Sequence, residues 1–122
     1  MISAKLPVNE VARLAALRAL GVLDSPVEAE FDALVQVASA VCDAPISLIS
    51  LVDSDRLWFK ANLGLPKIHE TPRDIAFCSH AIHGEDIFEV HNAMTDVRFV
   101  DNPLVTQSPS IRFYAGAPIR LS

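Results

Sequence analysis

The chain has 122 residues, 51% of them hydrophobic and 20% charged, with a mean hydropathy of +0.32, enough for one domain with a buried core and too apolar for bulk disorder. Ten Lys plus Arg against fifteen Asp plus Glu give a net charge of −5, and no basic cluster stands ready to release counterions from nucleic acid. Charged residues or prolines interrupt every apolar run before it reaches bilayer length, and the opening MISAKLPVNEVARL has no signal-peptide h-region, so the expectation is a cytoplasmic protein with no membrane partner.

Residues 1–7 read as a short tail, with the domain proper over 8–122. Asn9 is placed to cap a helix to about Leu20, with Val11, Leu14, Ala15 and Leu17 as its apolar stripe and Gly21 as its stop. Ser25-Pro26-Val27-Glu28 then has the form of a capping box with Pro at the first helical position. That helix is predicted to run to about Val41 and to bury Phe31, Leu34, Val35, Ala38 and Val41. After Pro45 the period falls to two. Ile46–Val52 and Leu57–Leu63 read as a β-hairpin around the turn Asp53-Ser54-Asp55, whose carboxylates serve the turn and not a cation. An irregular stretch follows to about Asp74. A short helix is expected over Ile75–Ile82, a third strand over Ile87–Val90, and a loop with one helical turn near Val97 over 92–110. Ile111–Ile119 reads as a fourth strand, where Gly116 suits a bulge or a close approach. Helices followed by strands indicate an α+β fold with an antiparallel sheet.

Several blocks, in order, resemble the GAF domains of bacterial sensors. They are Glu10…Arg13-Leu14…Leu17…Leu20-Gly21-Val22-Leu23-Asp24-Ser25-Pro26 with Phe31-Asp32, then Ile49–Asp53 with Arg56–Lys60, then Thr71-Pro72-Arg73 with Phe77-Cys78, then Arg98-Phe99 with Asn102–Val105, and finally Arg112–Pro118. The resemblance implies a central antiparallel sheet with the N-terminal helices packed on one face and a ligand pocket on the other. It also implies a module placed ahead of a histidine kinase, diguanylate cyclase or phosphodiesterase output domain. Against that pattern the chain is expected to be incomplete at its C-terminus, lacking the last strand or strands and a final helix. A homodimer would then rest on the first helices.

Cys78, His80 and His83 form C-x-H-x-x-H, a spacing that suits zinc or haem iron in principle. No second spaced pair supports a metal, so the reading is a packed cysteine with both histidines on an exposed turn. Cys42 reads as a buried apolar filler. Trp58, Phe59, Phe77, Phe113 and Tyr114 are the aromatic candidates for a ligand pocket. Phe59 and Phe113 are assigned to the core, while Trp58 and Tyr114 keep a polar handle that needs a partner. Arg73, Asp74 and Arg112 are candidates to fix a charged group, although Arg73 with Asp74 equally reads as a surface pair. The expected ligand-binding set is Trp58, Arg73, Phe77, Cys78, Arg112 and Tyr114, with no catalytic residue, no metal and an unidentified small molecule as ligand. Among relatives of this family, bilin carriers often have His directly after the cysteine, where this chain has Ser79, and the Asn-Lys-Phe-Asp-Glu set of cyclic-nucleotide binders is absent. The alternatives from other classes are a methionine sulfoxide reductase-like redox enzyme using Cys78 and a ligand-free dimerisation scaffold.

Overall fold

The computed structural model describes residues 1–120. They form two compact units: Asn9–Arg73 is continuous, while the other joins Met1–Val8 to the chain from Asp74 onward.

In the continuous unit, α1 (Glu10–Ala19) and α2 (Ala29–Cys42) precede β1 (Ser47–Val52), β2 (Arg56–Leu63) and β3 (Glu70–Pro72). The strands pair antiparallel in the order β1-β2-β3, and α2 packs on β1 and β2. The hairpin turn is built as expected: the Asp53 carboxylate accepts from its neighbour's amide, Ser54 N, at 2.8 Å and from Arg56 Nε at 3.0 Å. β3 lies in the stretch that reads as irregular, because three residues are too few to show a period.

Both helix starts differ in detail from the sequence reading. Asn9 occupies the cap position of α1, but its side chain makes no capping hydrogen bond. α2 begins at Ala29 behind an extended Glu28, so the Ser25 capping box does not form. The reason is competition for the Ser25 hydroxyl. Its Oγ donates to Val22 O at 2.5 Å and accepts from Lys60 Nζ at 2.7 Å.

Lys60 owes that position to a β-bulge. Ile49 pairs with Ala61 and Ser50 with Phe59, which leaves Lys60 opposite no residue of β1. Its side chain is 2% exposed. The ammonium donates to Ser25 Oγ and Pro26 O, both at 2.7 Å, pairs with Glu28 at 2.6 Å and lies 5.5 Å from the centre of the Phe31 ring. A buried ammonium is tolerated only when so surrounded. Lys60→Met keeps the apolar stem and removes these bonds, and it should lower stability by about 2 kcal/mol; a urea midpoint unchanged from the parent would refute the clamp.

The apolar helix faces are more open than the sequence suggests. On α1 only Leu17 is buried, whereas Val11 and Ala15 are exposed. On α2 only Val35 is buried and Phe31 half-buried, while Leu34, Ala38 and Val41 are exposed, Val41 at 79%. The sheet covers one side of α2, and the stripe expected inward is wider than that contact. Cys42, at the helix end, is also exposed rather than a core filler.

In the other unit, α3 (Cys78–Ala81) is a single turn inside the stretch expected as helix. β4 (Phe88–Val90) pairs antiparallel with β5 (Tyr114–Gly116). β5 is shorter than the Ile111–Ile119 expected, because the residues before it bond elsewhere: Ile111 N donates to Leu104 O at 2.8 Å and Arg112 O accepts from Ala93 N at 2.6 Å. The helical turn near Val97 is present, with Val100 N on Asp96 O at 2.9 Å. A second turn, α4 (Pro103–Thr106), lies in the stretch expected as loop. Asn102 caps it by accepting from Leu104 N at 2.9 Å, and Pro103 opens it.

The tail is tied into this unit. Ile2 N donates to Arg98 O at 3.1 Å and Ser3 Oγ to Asp74 O at 3.0 Å, while the Met1 ammonium pairs with Asp101. The core here is Phe77, Val90, Ala93, Phe99 and Val105, with Phe88, Leu104, Ile111 and Tyr114 packed against it.

Candidate functional site

Phe77, Cys78 and Tyr114 come together on this core. The ring of Phe77 stacks on Phe99 at 4.1 Å and an interplanar angle of 7°, and lies 5.2 Å from the Tyr114 ring. The next residue, Cys78, opens α3, and its Sγ lies 3.0 Å from Tyr114 Oη, a hydrogen bond in either direction. Burial pushes the Tyr114 phenol well above its ordinary pKa, with the neighbouring Cys78 acting the same way. The phenol therefore stays neutral. Phe88 closes the far side, its ring 6.0 Å from that of Tyr114.

Gly116 is the close approach that its position in the strand suggests. A Cβ there would lie 2.8 Å from Tyr114 Cζ, so the absence of a side chain lets the tyrosine fold back over its own strand. The result is a thiol and a neutral phenol held against aromatic rings.

Arg98 and His80 enlarge this cluster, and neither belongs to the set chosen from sequence. The Arg98 guanidinium lies 5.0 Å from the Phe88 ring centre and 5.3 Å from that of Phe99, while Asp96 holds it in a 2.7 Å ion pair. His80 meets Phe99 edge-on at 5.0 Å. Burial lowers its pKa, which favours the neutral imidazole. The Arg98-Phe99 dipeptide is the signal for the first; for His80, half-burial is not legible from one residue's spacing.

The other members of the expected set are placed differently. Arg112 donates to Val105 O at 3.0 Å and to Ile111 O at 3.1 Å, a role in closing its own loop. Trp58 and Arg73 belong to the continuous unit. Trp58 is buried in β2 between Leu51 and Glu70 in register. Arg73 is buried and does not form a surface pair with Asp74. It contacts Glu10 at 2.5 Å and donates to Asp53 O at 3.0 Å. Phe59 is core as expected, but Phe113 is 58% exposed and meets His91 edge-on at 6.3 Å.

A family model for the GAF domain matches residues 26–122. The chain belongs to the GAF domain family. One curated relative of this GAF domain is a cyclic di-GMP phosphodiesterase of Pseudomonas aeruginosa, 43% identical over 119 residues. The alignment takes in 98% of this chain and 20% of that protein, so the chain spans about a fifth of the relative's length. This GAF domain is accordingly a regulatory, sensory module of a signalling protein.

The C-x-H-x-x-H residues of the GAF domain turn to separate partners. Cys78 meets Tyr114, His80 Nε2 meets Ile2 O at 3.1 Å, and His83 Nε2 meets Lys5 O at 2.6 Å. Among the described residues no three His, Cys, Asp or Glu side chains gather as a metal site. The histidines instead anchor the tail, and only His83 is exposed. No helix among the described residues is long and apolar enough to cross a membrane.

Proposed function

We propose that this GAF domain binds a small molecule on the Phe77–Cys78–Tyr114 cluster and passes the bound state to an output domain carried by the same protein. The observation that supports this is the 3.0 Å contact between Cys78 and Tyr114 beside stacked rings, which brings together three of the six residues that the sequence singles out. In this reading Arg112 closes its own loop, and Trp58 and Arg73 stabilise the continuous unit. By likeness to the Pseudomonas relative, the output is of the phosphodiesterase kind. A ligand with greater affinity for one of two arrangements of the domain shifts the population by that difference alone. The domain performs no chemistry of its own, and it works in the cytoplasm, where Cys78 and Cys42 stay outside any disulfide.

Native mass spectrometry of the protein isolated from its own cells tests this. The expected result is a retained small molecule whose occupancy falls at least about tenfold in Tyr114→Phe, the loss of one well-made polar contact. A protein that retains nothing, or whose ligand is held equally by the variant, would remove the cluster from the proposal. The same spectra report copy number. Turnover of methionine sulfoxide with a thiol reductant would favour the redox enzyme instead.

A further inference from the structure

A groove of about 380 Å³ opens in the continuous unit, and none of the six expected site residues lines it. One wall is α2, with Val35 at its base and Asp32 and Gln36 one turn apart. The floor is the second half of β2, from Phe59 to Leu63. The other wall is the loop through Leu65, Lys67 and His69.

This loop is built rather than loose. Asn62 Nδ2 donates to Leu65 O at 2.6 Å and Ile68 O at 2.8 Å, and its Oδ1 accepts from Leu65 N at 3.1 Å. Phe59 N donates to His69 O at 3.0 Å, fastening the loop's far end to the strand. A wall fixed in this way loses little freedom when a ligand arrives.

The charges at the groove differ from those around it. Arg13, Arg18, Arg56 and Arg73 all stand in ion pairs, and Lys60, which lines the groove floor, has its ammonium committed to Glu28, Ser25 and Pro26. The side chains of Asp32, Gln36, Lys67 and His69 make no hydrogen bond or ion pair among the described residues. An acid and an amide thus face the groove from the helix, and a base and an imidazole from the loop, over an apolar base of Val35, Ala61 and Leu65. Charges of opposite sign on opposite walls complement a molecule that carries both signs.

We infer that this groove is a second binding site, for a zwitterion with an apolar body, the chemistry of an apolar α-amino acid. The ammonium meets Asp32 and Gln36, the carboxylate meets Lys67 and His69, and the side chain covers Val35 and Ala61. The volume lies within the usual range for small-molecule sites.

Titration of the full chain with L-leucine, followed by amide NMR shifts, tests the assignment. Saturable binding at about 1 mM or tighter is expected, with shifts centred on 32–36 and 59–69. Asp32→Asn and Lys67→Met should each weaken it at least about tenfold, while Arg120→Gln should not change it. Both substitutions lie on exposed or half-exposed positions, and retained amide dispersion shows that the variants are folded. Equal binding of 4-methylpentanoate, which lacks the ammonium, or of 3-methylbutylamine, which lacks the carboxylate, would overturn the zwitterion. Absence of saturation up to about 10 mM would overturn the site.

Discussion

Glu10→Gln is expected to cost about 3 kcal/mol at neutral pH, and the loss should shrink toward nothing as the pH falls to about 2. Glu10 opens α1, and its carboxylate receives Arg73 Nη1 at 2.5 Å and Arg13 Nε at 2.9 Å. Arg73 is 9% exposed in its side chain, so removing its counter-charge leaves a guanidinium with little water to replace it. The hydrogen bond from Arg73, aided by Arg13, holds the Glu10 carboxyl at about 2, against an ordinary 4.5. Because the folded state favours the ionised form, the contribution is complete above pH 4.5. It is lost as the pH falls through about 2. The Gln variant lacks this contribution at every pH. Denaturant melts of both proteins between pH 7 and 2 read it directly, and a gap constant with pH would refute the ionic account.

Gly64→Ala should be as damaging, through sterics instead of charge. Gly64 follows β2 with φ near +100°, a conformation that L side chains rarely adopt. An added Cβ would also drive into Pro45 O and lie 3.0 Å from Ile46 Cα. Both neighbours are backbone at the entry to β1, so neither can swing aside. Strain and clash together should lower stability by about 3 kcal/mol or more. The urea midpoint is expected to drop with the slope unchanged, and Gly21→Ala, which meets no atom within 4 Å, should lose less.

The hairpin was legible because Ile46–Val52 and Leu57–Leu63 alternate on either side of a turn whose Asp53 caps its own neighbour. The bulge at Lys60 was not, since a bulge adds one residue without changing composition, and the ammonium it buries then takes Ser25 from its capping box. β3 is three residues in a stretch that reads as irregular, so no period marks it, and β5 fills only the middle of the longer run that reads as a strand. Periodicity overstates the width of the buried α2 stripe because it reports which residues are apolar, not how much surface is available to cover them. At the site, Phe77-Cys78 and Tyr114 were legible as residue types. Their meeting at 3.0 Å depends on a strand pairing between Val90 and Tyr114 that no local pattern announces. Arg73 shows the limit most clearly: beside Asp74 it reads as half of a surface pair, and its partner is 63 positions away.

The anchoring of the tail carries a consequence for biosynthesis. Ile2 and Lys5 give their carbonyls to histidines 78 positions further on. On a ribosome adding about 5–20 residues per second, Ile2 and Lys5 are made about 4–16 s before His80 and His83. Through that interval Asn9–Arg73 is itself being made, and Met1–Val8 waits without its partners. This segment is thus made well before the residues that secure it, and a nascent-chain chaperone or protease would meet it extended.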